Sequence, residues 1–215
     1  MNLSEKIEKI SKDYSNNLGL RFYVSLIPTI GGTIDLLMTS KWQDSIKKRI
    51  KIFFDAVKEE FDDIEENKID KKFLESEEFM DLFINSLNLA SKTRSNDKIR
   101  IYTKILKGSL IIKNDEFNSE DYLHVLEELT PNELSFAKQF YDLKIAKNEY
   151  LSESQNDIVF TSINFVNITK QKSEYYFKRL EKVGLVSELV GSYIGYGGGI
   201  YNLTELFKSL MNYIK

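Results

Sequence analysis

The side chains able to do acid–base or metal chemistry are few and poorly spaced for it. His124 is the only histidine, and the 215 residues include no cysteine. One imidazole and no thiol cannot build a Cys/His dyad or an ordinary zinc site within one chain. Disulfides and thiol catalysis are excluded for the same reason. A Ser-His-Asp triad would need His124, and no Gly-x-Ser-x-Gly elbow accompanies it. Carboxylates gather at Asp62, Asp63, Glu65 and Glu66, and again at Glu75, Glu77 and Glu78. Such runs read as solvated helix faces rather than as a metal or acid–base site. Gly31-Gly32-Thr33 lacks the lysine of a phosphate-binding loop, and Gly195-Tyr196-Gly197-Gly198-Gly199 reads as a hairpin tip. The expectation is a protein that is not an enzyme, with no catalytic residue, cofactor, metal or small-molecule substrate.

Two other groups of side chains suggest binding. Lys170, Gln171, Lys172 and Ser173 fall in the first turn of a predicted helix, with Lys178 and Arg179 further along. A helix so placed could meet the major groove of DNA. Against that, no Lys or Arg occurs between Lys182 and Lys208, and residues 131–215 hold ten basic and nine acidic side chains, a balance of +1. Gripping a duplex requires several phosphates to be neutralised. Protein contact or plain packing is therefore favoured over DNA. The second group is Trp42, Lys47, Lys48, Arg49 and Lys51, which follows the apolar window Leu20 to Met38. Apolar segment, Trp and basic cluster together suit a membrane surface or a partner surface. Arg21, Pro28 and Asp35 oppose a stable span, since a charge deep in a bilayer costs roughly 3 kcal/mol or more. A buried core or an oligomer interface is the favoured use of that window.

The elements that must carry these groups are mostly helical. Leu3, Ile7, Ile10, Tyr14 and Leu18 form one helical stripe. The window after it bends at Pro28 and Gly31-Gly32. Trp42, Ile46, Ile50, Phe53, Val57, Phe61 and Ile64 step by three and four, which predicts one long amphipathic helix. Its first half is basic and its second half acidic, against the helix dipole. That polarity suggests a partner for the acidic half: another chain, or the linker lysines Lys68, Lys71 and Lys72. Phe79, Phe83, Leu87 and Ala90 define the next face, then Ile99, Tyr102, Ile105, Leu106 and Leu110, then a short helix capped by Ser119.

At Thr130 the style changes. Thr130-Pro131-Asn132-Glu133 is a capping box with proline at the first helical position. Residues 158–168 are ambiguous between strand and helix. Thr169 caps the following helix and Gly184 ends it. Leu185 to Val190 and Ile200 to Leu203 read as strands, and Thr204 caps a closing helix. Helix, ambiguous segment, helix, hairpin, helix is the winged-helix order. The fold expected is mainly α: a helical bundle over 1–129 and a winged-helix domain with a small β-hairpin over 130–215. A net charge of −3 predicts no bulk attraction to nucleic acid or anionic lipid. The absence of cysteine, with no signal-peptide pattern at the start, points to the cytoplasm.

A family resemblance rests on four stretches. They are Lys98-Ile99-Arg100-Ile101-Tyr102-Thr103-Lys104-Ile105-Leu106, Val125-Leu126-Glu127-Glu128-Leu129-Thr130-Pro131-Asn132-Glu133, Leu180-Glu181-Lys182-Val183-Gly184-Leu185-Val186 and Tyr201-Asn202-Leu203-Thr204-Glu205-Leu206-Phe207. Their succession resembles the Abi-alpha proteins, a bacterial group linked by name to abortive infection. Where that pattern often places a glycine after the Leu-Thr pair, this chain has Glu205-Leu206-Phe207. The resemblance implies a part in bacterial or prophage-encoded defence through a protein partner or self-association, and it carries over no catalytic residue. The competing expectations are a winged-helix DNA-binding regulator and a membrane-acting effector using residues 20–51.

Overall fold

The structure, a computed structural model, describes residues 43–62, 64–111, 117–148, 165, 168–188 and 201–214. The stripe from Leu3 to Leu18, the window Leu20 to Met38, Trp42, most of 158–168 and the glycine-rich tip lie outside the described residues. Within them the protein is mainly helical. The helices are α1 (Gln43–Asp62), α2 (Lys71–Leu74), α3 (Glu77–Lys92), α4 (Asn96–Ile111), α5 (Ser119–Glu128), α6 (Pro131–Asn148), α7 (Lys170–Lys182) and α8 (Glu205–Ile214). Strands β1 (Val186–Glu188) and β2 (Tyr201–Leu203) form an antiparallel pair, with Val186 opposite Leu203 and Glu188 opposite Tyr201. The chain divides into two compact units, Met1–Leu123 and His124–Lys215.

In the first unit the stepped apolar residues from Ile46 to Phe61 form α1 as expected, and Ile64 lies beyond its end. Ile50, Phe53, Val57 and Phe61 are buried, and Phe54 and Ala56 widen the stripe. A stripe that wide can face two neighbours, and α1 packs on both α3 and α4. Phe53 meets Phe83 edge-on at 5.5 Å between ring centres, a geometry that adds to simple burial. The predicted faces of α3 (Phe79, Phe83, Leu87, Ala90) and α4 (Ile99, Tyr102, Ile105, Leu106, Leu110) are all buried. Ser76 starts α3 by accepting the Phe79 N–H, and Ser95 starts α4 by accepting the Lys98 N–H.

The charged stretch Glu65 to Lys72 is fastened rather than loose. Ile69 is buried, the Asp70 N–H donates to the Leu110 carbonyl at 3.0 Å, and the Asp70 carboxylate caps α2. The acidic half of α1 finds its counter-charges on α4. Arg100 meets Glu59 at 2.8 Å and Lys107 meets Glu60 at 3.1 Å. Of the linker lysines, Lys68 meets Glu65 at 2.8 Å, whereas the two pairs with α4 leave no trace in local spacing, because their cations lie one helix away in the fold.

In the second unit, local signals place the helix ends. The Thr130 N–H donates to Glu133 Oε2 at 2.7 Å and the Glu133 N–H donates to Thr130 Oγ1 at 3.3 Å, closing the capping box on α6. Thr169 caps α7 through the Lys172 N–H. At the other end of α7 the Leu185 N–H donates to the Leu180 carbonyl and the Gly184 N–H to the Glu181 carbonyl, both at 3.0 Å. That paired return is the Schellman arrangement, and it sets Gly184 at φ 77°. Thr204 Oγ1 donates to the Gly184 carbonyl at 2.7 Å and accepts the Phe207 N–H, which ties α8 to the end of α7. At the start of α5, which falls in the first unit, the cap differs from expectation by one residue. Asn118 and Asp121 exchange side-chain and backbone bonds, so Asn118, not Ser119, closes that end.

The core of this unit is aromatic and centres on Phe177. Its ring lies 4.9 Å from Phe136 and 5.0 Å from Phe140, both edge-on, and stacks on Tyr201 at 4.4 Å with a 4° tilt. Leu180, Leu185, Val186, Phe207 and Leu210 complete it.

Candidate functional site

The first turn of α7 carries the residues singled out for contact with a groove. Lys170, Gln171 and Lys172 are exposed there. Ser173 is not available, because it is buried and its hydroxyl donates to the Lys170 carbonyl at 2.7 Å. The buried side of α7 (Ser173, Tyr176, Phe177, Leu180) follows the helical period, which turns Ser173 inward.

Further along, α7 holds its cations against its own unit. Lys178 donates to Glu181 at 3.0 Å and to Glu188 of β1 at 2.5 Å, and its ammonium lies 5.7 Å from the centre of the Tyr201 ring. The hydrogen bond to Glu188, then that to Glu181, holds the Lys178 ammonium well above the usual lysine range. Arg179 Nε donates to Glu133 Oε1 at 2.9 Å, and its Nη2 donates to the Glu128 carbonyl at 2.7 Å. The bond to Glu133 raises the Arg179 guanidinium further above its already high value. Lys182 lies 3.8 Å from the Glu128 carboxylate. The Tyr201 phenol is pushed up by burial first and by the charge of Glu188 second.

Glu133 is the joint of this arrangement. Its side chain is 2% exposed, and one carboxylate closes the α6 cap while also holding Arg179. Through Arg179, the end of α5, the start of α6 and the last turn of α7 are pinned together. The capping role was legible from Thr130-x-x-Glu133, but the arginine was not, since 46 residues separate the pair.

The basic start of α1 is also divided in use. Arg49 Nη1 donates to the Ser91 carbonyl at 2.8 Å, capping the end of α3. Lys51 pairs with Asp55. Lys47 and Lys48 are exposed, and Trp42 lies outside the described residues. Among the described residues, no helix is long and apolar enough to cross a membrane. Among them, too, no group of three or more His, Asp or Glu side chains could hold a metal ion. His124 is exposed on α5, as are Asp62 and Glu65 and, around the start of α3, Glu75, Glu77 and Glu78.

Tyr175 is the residue that sequence reasoning passed over. It is 58% exposed, the one large hydrophobic side chain standing out among the described residues. A signal existed: once Tyr176 and Leu180 are assigned to the core, position 175 falls on the outer side.

Set against protein-family models, curated proteins and solved structures, the chain matches none.

Proposed function

We propose that this chain is a non-enzymatic interaction protein, a helical bundle followed by a winged helix, whose winged helix meets protein rather than DNA. The reading is supported chiefly by the internal neutralisation of α7: Lys178, Arg179 and Lys182 each face a carboxylate of their own unit. Cations already paired release few counterions from a phosphate backbone, and that release drives duplex binding. The order α6, α7, β1, β2, α8 suits a winged helix, and the stretch from Lys182 to Lys208 lends it no cation between those ends. The resemblance to Abi-alpha proteins supplies the setting, a bacterial or prophage defence system of the abortive-infection kind. A DNA-binding regulator remains the competing reading and draws on Lys170 and Lys172, which form no ion pair among the described residues. A membrane-acting effector would draw on Lys47 and Lys48.

The direct test is purification of the full-length chain from its native host under mild conditions. A stable protein partner or self-association is expected. A monomer with no partner overturns the proposal.

A further inference from the structure

We draw no further inference here: the strongest candidate, the exposed side of α1, basic at Lys47, Lys48 and Lys51 and mostly acidic from Asp55 to Asp62, carries nothing, because Lys51 already pairs with Asp55 and Glu59 with Arg100 within the chain and nothing in the structure shows what covers the rest.

Discussion

Gly184 illustrates how one residue fixes a junction. A Cβ there would sit 3.6 Å from Leu206 Cδ2, an ordinary contact, so space does not demand glycine. The backbone does, at φ 77°. Gly184→Ala should therefore cost about 1 kcal/mol of stability, read as a lower urea midpoint, and Gly184→Asn should cost less. Glu133 makes the opposite case, a residue whose side chain does two jobs. Thr130→Ala should cost about 1 kcal/mol through the cap alone. Glu133→Ala removes the return bond of the cap and strands Arg179, so it should destabilise more than Thr130→Ala; equal losses would mean that the arginine contact contributes nothing. Lys178 gives a pH dependence. Its affinity for the proton is higher folded than unfolded, so its contribution is complete below its ordinary value of 10.5 and is lost as pH rises above it. The raised Tyr201 phenol acts in the same direction from its ordinary value of 10.0. Urea midpoints should fall above about pH 10, and Lys178→Met should flatten part of that fall. The part is small, since the Lys178 side chain is 58% exposed and screened by water.

At the scale of elements, helix ends and apolar faces were largely legible and their mutual fastening was not. Ile50, Phe53, Val57 and Phe61 announce α1 because burial on one side imposes a period of three and four. Thr130, Thr169, Gly184 and Thr204 announce ends because caps bond within one turn. Arg49 on the Ser91 carbonyl, Arg100 on Glu59 and Arg179 on Glu133 obey no local period, and each joins residues at least 41 positions apart in sequence. Ser173 was misplaced on the outer side of α7, and Tyr175 was passed over, for a related reason. Ser173 sits between Lys172 and Glu174 and Tyr175 beside Tyr176, and only the angle set by Tyr176 and Phe177 tells which points inward. These fastenings differ in weight. Arg49→Met leaves the last carbonyls of α3 without their guanidinium and should lower stability more than Lys47→Met or Lys48→Met, whose ammonium groups reach water. Phe177→Ala removes the ring on which Phe136, Phe140 and Tyr201 converge, and should cost about 3–5 kcal/mol, enough to unfold a marginal domain.

For the whole molecule the functional account turns on where positive charge is left over. The second unit is rich in cations on α7, yet most of them answer its own carboxylates. Lys170 and Lys172 remain exposed at the first turn of α7, the Lys172 ammonium 5.6 Å from the centre of the Tyr176 ring. The first unit keeps Lys47 and Lys48 exposed at the basic start of α1, and Lys58 and Arg94 are exposed elsewhere in it. Titration of the full-length protein into a labelled DNA duplex at physiological salt, repeated across salt concentrations, measures this most directly. The account predicts only weak association, weaker than about 10 µM and nearly flat with salt. Tight binding that falls steeply with salt and disappears on Lys170→Glu/Lys172→Glu would contradict it.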